Sequence, residues 1–188
     1  MKKIEIDLAD LMIAFESASY EMHYYLDLET GKVLWISDEI DRELETIFHE
    51  AEQATDAGPG EELDLVAAIE ASDLSDWEQE AVLEAYQVER GFGSRYISVP
   101  EADSREGYRD MQDFIATVRD ERLQDLLWMA IRGRGAFRRF KDVLAEHPRE
   151  RERWFEFKDQ RLEERVLEWL ESEDIEPIRA EPSEEPEG

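Results

Sequence analysis

The amino-acid sequence predicts an α+β protein, with a small antiparallel sheet and a helical C-terminal half. The strongest β signal is a hairpin over residues 22–37, where two aromatic and β-branched stretches flank a short turn. Residues 95–99 form a further predicted strand, and residues 4–6 alternate as a candidate fourth strand. Apolar residues recur at helical spacing in most of the remaining chain, which ends in one long predicted helix over about 148–171.

The elements of the first half have recognisable local signals. The hairpin turn ends in Gly31, which suits a type I turn followed by a residue in the left-handed conformation. Asp7 is placed to cap a first helix, and a second helix is expected to begin at Asp38. Two shorter helices are predicted at about 62–71 and 76–89, after a Gly-Pro-Gly linker.

The second half is predicted to consist of four helices. One begins at Asp103 or Ser104, another lies near 120–132, and a third covers about 136–146 before the long final helix. Gly133 is a natural residue just after a helix C-terminus. On the final helix we expect one apolar stripe, formed by Phe155, Leu162, Val166 and Trp169.

Charge is distributed unevenly along the chain, although we predict one domain over residues 1–178. Residues 1–94 contain 25 acidic and 5 basic residues, whereas residues 95–180 contain 21 and 17. The domain therefore has an acidic α+β part, residues 1–94, and a mainly helical and nearly balanced part, residues 95–178. Residues 179–188 are rich in Glu and Pro and predict a disordered acidic tail.

Composition excludes several classes of protein. The 188 residues include no cysteine, which excludes disulfides, thiolate catalysis and cysteine-ligated zinc and fits a reducing compartment. We find neither a signal-peptide pattern nor the apolar run of about 20 residues that a membrane span needs. The net charge of -28 opposes binding to nucleic acid. We therefore expect a soluble, cytoplasmic protein that binds no membrane and for which nucleic acid is a disfavoured partner, and we leave its oligomeric state open.

One stretch differs from the rest of this acidic chain, because residues 132–141 contain five basic residues and no acidic one. On a helix that begins near residue 135, the two phenylalanines of this stretch face the core and the arginines point away from it. The stretch then either binds an anion, such as a nucleotide or phosphate, or pairs with acidic side chains of neighbouring helices. The residues that we predict for such a site, here called the basic cluster, are Arg134, Gly135, Arg138, Arg139 and Lys141.

Other chemistries have weaker signals. Glu45, His49 and Glu52 recur at i, i+4 and i+7 and could offer three metal ligands, but a metal site also needs ligands from a second element. We therefore expect this row to face solvent, His23 and His147 to be structural, and the protein to hold no metal and no cofactor. The chain has no nucleophile elbow and no complete phosphate-binding loop, so the sequence supports no particular enzymatic reaction.

Four stretches together resemble a bacterial family, and they are Tyr24–Gly31, Asp103–Tyr108, Gly133–Asp142 and Glu152–Asp159. The family is the uncharacterised protein family UPF0158, and the resemblance covers most of residues 4–38 and 95–172. It implies one soluble bacterial domain. It implies no activity, cofactor or catalytic residue.

The sequence leaves three functions open. The first is a non-enzymatic interaction or regulatory module that binds a protein with a basic surface, by electrostatic attraction to the acidic part. The second is an anion-binding domain, in which the basic cluster holds a nucleotide, a phosphate or a nucleic-acid backbone. The third is an enzyme that uses carboxylates as its catalytic groups.

Overall fold

The chain forms two compact units in the computed structural model, each with its own cluster of buried hydrophobic residues. Unit 1 contains Met1–Glu101 together with the chain from Ile175 onward, and unit 2 contains Ala102–Asp174. The structure describes residues 1–19, 21–54, 64–101 and 103–179. The predicted linker at residues 58–60 and the tail residues 180–188 lie outside these ranges.

Unit 1 combines strands and helices. Its elements in chain order are β1 (Lys2–Ile6), α1 (Leu8–Ser17), β2 (Met22–Asp27), β3 (Val33–Ser37), α2 (Asp38–Ala54), α3 (Leu65–Glu70), α4 (Asp76–Gly91), β4 (Tyr96–Ser98) and β5 (Ile175–Arg179). Strands β3, β2 and β4 form an antiparallel sheet in that order. This confirms the predicted sheet of a hairpin over residues 22–37 and a strand within residues 95–99.

The candidate strand at residues 4–6 does not join this sheet. It belongs to β1, which pairs in parallel with β5, so that Lys2 lies opposite Ile175. The sequence predicts no strand after the long helix, because Pro177 lies in the middle of β5 and proline cannot donate to a strand ladder. Among the described residues β5 pairs with β1 alone, so it is an edge strand, and proline is tolerated there.

The hairpin turn packs directly against β1. Gly31 has a φ of +71°, which is the left-handed conformation that the predicted turn requires. A Cβ atom added to Gly31 would lie only 1.8 Å from the carbonyl oxygen of Glu5. Glycine is therefore needed here both for the backbone conformation and for the close approach of the turn to β1.

Side-chain caps determine where several helices begin. Asp7 accepts a hydrogen bond from the backbone N–H of Ala9 at 2.8 Å, which confirms its predicted role at the start of α1. At the start of α4, Glu78 accepts from both the backbone N–H and the hydroxyl of Ser75. Asp103 caps α5 in the same way as Asp7 caps α1. Each cap satisfies backbone N–H groups that have no partner within the helix.

One face of the three-stranded sheet packs against α2, α3 and α4. Ile36 and Tyr96 of the sheet belong to the same buried cluster as Leu44 of α2, Ile69 of α3 and Val82 of α4. Because side chains alternate along a strand, the residues of β2 on this face are His23, Tyr25 and Asp27. The sheet thereby presents three ionisable side chains toward the helices.

Unit 2 is helical and has an aromatic core. Its elements are α5 (Ser104–Thr117), α6 (Glu121–Ala130), α7 (Ala136–Ala145) and α8 (Pro148–Ser172). The rings of Phe114, Phe140 and Trp154 meet edge to face, with centroids 4.8 to 6.2 Å apart. Trp154 is buried between them and Phe155 is 52% exposed. The predicted apolar stripe of α8 is therefore wrong at Phe155, because the wider indole of the preceding residue fills the aromatic core.

A buried carboxylate joins α5 to α8. Both oxygens of Asp110 accept hydrogen bonds from Arg165, and one of them also accepts from Arg161 at 3.4 Å. Two guanidinium groups offset the cost of removing this carboxylate from water. Among the described residues, no helix is both long and apolar enough to cross a membrane. The longest helix, α8, contains charged residues throughout its length.

Candidate functional site

The exposed side of α2 is strongly acidic. Because Leu44 and Ile47 are buried in the core of unit 1, the opposite side of this amphipathic helix faces outward. Glu45, His49 and Glu52 are all exposed, as their spacing relative to the apolar residues predicts. This confirms that the row is a solvated helix face.

The row lines one side of a groove that the sequence does not predict. The groove has a volume of about 490 Å³, and the described residues that line it are Asp41, Leu44, Glu45, Phe48, His49, Glu52, Leu65 and Glu89. Four of these eight residues are carboxylates and none is Lys or Arg, so the acidic groove has a negative potential. Phe48 is 44% exposed and provides apolar surface among the carboxylates. The acidic groove therefore suits a positively charged group on an apolar stem.

At one end of the acidic groove, Asp41 belongs to a compact set of metal-ligating residue types. His23 lies on β2, whereas Asp38 and Asp41 lie in the first turn of α2. The His23 Nε2 atom is 3.2 Å from Asp38 Oδ1, and one ligand atom from each of the three residues lies within 4.8 Å of the other two. All three side chains are half-buried, and we call them the His–Asp–Asp set.

Negative charge is concentrated around this set. Burial raises the pKa of Asp41, His23 opposes that change, and the carboxylates of Asp38 and Glu45 add to it. Burial and the charge of Asp41 also raise the pKa of Tyr25, which follows His23 on the same face of β2. This end of the groove therefore disfavours any further negative charge and favours a cation.

At the other end of β2, Asp27 forms a bidentate ion pair with Arg95. The Nε and Nη2 atoms of Arg95 donate to the two oxygens of Asp27 at 3.1 and 2.7 Å. Burial by itself would raise the pKa of Asp27, but the hydrogen bonds from Arg95, the Glu29 N–H and Thr30 outweigh it and lower the pKa to about 2. The pair holds the hairpin to the segment that leads into β4.

We expect this pair to make part of the protein's stability depend on pH. The folded pKa of Asp27, about 2, lies below its ordinary value of 3.8, so its contribution is complete above about pH 4 and is lost as the pH falls through 2. Chemical denaturation of wild type and Asp27→Asn at several pH values should show a difference of roughly 1–2 kcal/mol at pH 7 that disappears near pH 2. A difference that stays constant over this range would contradict the assignment.

Arg139 of the basic cluster takes neither of the two roles that the sequence leaves open. Its Nε atom donates to the carbonyl oxygen of Ala130 at 2.9 Å. Its two Nη atoms donate to the carbonyl oxygens of Arg134 and Arg132. Arg139 thus binds the carbonyl groups at the end of α6 and in the turn that follows, where the helix leaves them without backbone partners.

The other residues of the basic cluster are exposed like Arg139 but make fewer contacts. Arg138 lies 4.0 Å from Asp142, one turn along α7, and both side chains are mostly in solvent. Neither Arg134 nor Lys141 has an ion pair among the described residues. Gly135 precedes α7 with a φ of +74°, and because it has no side chain, it cannot cap the first backbone N–H groups of this helix. The structure brings these residues to one helix start, where an anion site stays a prediction.

The contact of His23 with Asp38 is not among the features predicted from the sequence, which favours a structural role for His23. The antiparallel register sets His23 opposite Ile36, so the first residue of α2, Asp38, follows only two positions after that partner. A predicted hairpin therefore already implies that His23 lies beside the start of the next helix. The position of Asp41 was not predictable in this way, because it depends on how α2 is rotated against the sheet.

Comparisons with known proteins agree with the resemblance seen in the sequence. A curated protein of Pseudomonas aeruginosa, described as a UPF0158 protein, is 27% identical over 177 residues, which cover 94% of this chain and 88% of the relative. No solved structure matches the chain. The sequence model of "Uncharacterised protein family (UPF0158)" matches residues 73–187, which is more than half of the chain. The chain therefore belongs to the uncharacterised protein family UPF0158.

Proposed function

We propose that this protein is a non-enzymatic interaction module, and that the acidic groove binds a lysine- or arginine-rich segment of another protein. The observation on which this rests is the composition of the groove, in which carboxylates surround an exposed aromatic side chain and no Lys or Arg is present among the described lining residues. We also place the protein in the cytoplasm, since a chain without cysteine fits a reducing compartment.

The arrangement of polar and apolar surface supports a basic peptide segment as the occupant. The alkyl stems of Lys and Arg can cover Phe48 and Leu65 while their charged ends reach Glu45, Glu52 or Glu89. A free metal ion or a small amine would leave this apolar surface in water. Aromatic side chains in such positions are frequent anchors of protein interfaces, so we expect Phe48 to contribute a large share of the affinity.

The charge of the whole acidic part supports rapid association with such a partner. Residues 1–94 have 25 acidic and 5 basic residues, so an approaching cationic segment meets an attractive field before it reaches the groove. Because exposed charges are screened within about 8–10 Å at physiological ionic strength, the association rate should fall steeply as salt is added.

The test measures binding of a fluorescently labelled peptide to the protein by fluorescence anisotropy. The probe is a helical peptide of lysine and leucine, and the control is a peptide of glutamate and leucine of equal length. We expect the lysine peptide to bind and Glu45→Gln/Glu52→Gln to weaken its binding roughly tenfold, since each exposed charge pair contributes up to about 1 kcal/mol. Phe48→Ala should weaken it by a similar factor, through the lost apolar contact.

The matched control is Glu70→Gln/Glu80→Gln, which removes the same charge from exposed positions of α3 and α4 that do not line the groove. We expect this variant to change the affinity less than twofold. Equal losses in the two double variants would show that only the overall charge matters and would overturn the groove as the binding site.

A further inference from the structure

We propose that the His–Asp–Asp set, His23 with Asp38 and Asp41, is a binding site for a divalent transition-metal ion. The set combines an imidazole from a strand with two carboxylates from a helix, and its ligand atoms already lie within 4.8 Å of one another. The set shares Asp41 with the acidic groove, but Glu45, Glu52 and Phe48, on which the proposed peptide binding depends, take no part in it.

The backbone fixes the positions of these ligands. His23 is in a paired stretch of β2, opposite Ile36 of β3. The backbone N–H of Asp38 donates to the carbonyl oxygen of Glu21 at 3.2 Å, which joins the first turn of α2 to the strand beside His23. Asp41 follows Asp38 by three residues and so shares its helix face. Two rigid elements therefore meet at the set, as a metal site with ligands from different elements requires.

The distances suit a first-row metal ion. Ligand atoms about 2.0–2.2 Å from a zinc ion in a tetrahedral site lie roughly 3.3–3.6 Å from each other. The separation of 3.2 Å between His23 Nε2 and Asp38 Oδ1 is close to this value. A carboxylate oxygen of Asp41 lies within 4.8 Å of a ligand atom of each of the other two residues and is placed to supply a third ligand.

The types of ligand favour Zn²⁺ or Mn²⁺ over Ca²⁺ or Mg²⁺. Imidazole nitrogen is a good ligand for Zn²⁺ and other transition metals, whereas Ca²⁺ and Mg²⁺ prefer sites made of oxygen alone. The side chain of His23 is 32% exposed and that of Asp38 is 37% exposed, so water can reach the ion. Three protein ligands would leave at least one coordination position for that water.

A simple ion pair explains only part of the arrangement. Acidic residues in a first helical turn are favoured by the helix dipole, and Arg42 lies 3.6 Å from Asp38. Arg42 is, however, 74% exposed, and within the described part of the chain its ion pair is with Asp38, not with Asp41. Asp41 shares its helix face with two other carboxylates, Asp38 one turn before it and Glu45 one turn after it, and their negative charges repel one another. A divalent cation between His23 and the two aspartates removes this repulsion.

The experiment uses the full chain, freed of metal by a chelator and dialysed, and titrated separately with Zn²⁺, Mn²⁺, Ca²⁺ and Mg²⁺ in a calorimeter. We expect one Zn²⁺ or Mn²⁺ per chain and much weaker binding of Ca²⁺ and Mg²⁺. His23→Gln and Asp41→Asn, which keep the shapes of these side chains approximately, should each weaken binding by roughly 100-fold or more.

Two controls make the outcome decisive. His49→Gln removes an exposed histidine of α2, the helix that contains Asp38 and Asp41, and should leave the metal affinity unchanged. Far-ultraviolet circular dichroism of each variant without metal should match that of the wild type, so that lost binding is not lost folding. The proposal is overturned if the wild type binds neither Zn²⁺ nor Mn²⁺ at one ion per chain, or if His23→Gln and Asp41→Asn bind as tightly as the wild type.

Discussion

Gly31→Ala should destabilise the protein by about 2–5 kcal/mol, the largest effect that we expect from a single substitution. The left-handed backbone at this position costs an alanine about 1–2 kcal/mol. The added Cβ would lie 1.8 Å from the carbonyl oxygen of Glu5 and 2.9 Å from its carbonyl carbon. Because both atoms belong to the backbone of β1, relief of the clash must separate the hairpin turn from that strand, which adds about 1–3 kcal/mol.

Gly93→Ala is the control for the effect of conformation alone. Gly93 has a φ of +76°, and a Cβ added there meets no atom within 4 Å. We expect this variant to lose only about 1–2 kcal/mol in urea or thermal denaturation. If the two variants are equally stable, the close contact between the hairpin turn and β1 does not contribute and the prediction is wrong.

Arg139→Gln should destabilise the protein by about 2 kcal/mol. The substitution removes the guanidinium group that donates to the carbonyl oxygens of Ala130, Arg132 and Arg134. A hydrogen bond that involves a charged group contributes about 1.5–3 kcal/mol, but Arg139 is exposed to solvent, which lowers the value of each of these three. The cost appears as a lower midpoint of denaturation.

Arg138→Gln is the matched control for this effect. It makes the same change of side chain and charge at the adjacent position, where the ion pair of the arginine among the described residues is with the exposed Asp142, at 4.0 Å. We expect a change within about 0.5 kcal/mol. Equal effects of the two substitutions would mean that the charge of the basic cluster matters and that the contacts of Arg139 with carbonyl groups do not.

The elements that the sequence predicts well are those with local signals. The hairpin around Gly31, the cap formed by Asp7 and the capping pair of Ser75 and Glu78 depend on residues close together in the chain. The pairing of β1 with β5 joins residues about 170 positions apart, and the proline at position 177 obscures the second strand. No periodicity within a window of one element can reveal such a partner.

The candidate sites divide in the same way. The apolar pattern of α2 is enough to predict that Glu45, His49 and Glu52 are exposed. The groove beside them cannot be predicted in this way, because α3 and α4 also line it and their positions are not known from the sequence. The proximity of His23 and Asp38 follows from strand register. For Arg139, residue type and spacing predict exposure but not its binding to carbonyl groups, since an arginine at a helix start equally suits an anion or a carboxylate.

The parallel pairing of β1 with β5 has a consequence for synthesis on the ribosome. β1 leaves the exit tunnel well before its partner, Ile175–Arg179, which follows only after all of Ala102–Asp174 has been translated. The aromatic cluster of α5, α7 and α8 can therefore assemble before the two-stranded sheet exists. During that interval the nascent β1 has an unpaired edge, and its two lysines, Lys2 and Lys3, are the kind of charge that discourages pairing with another chain.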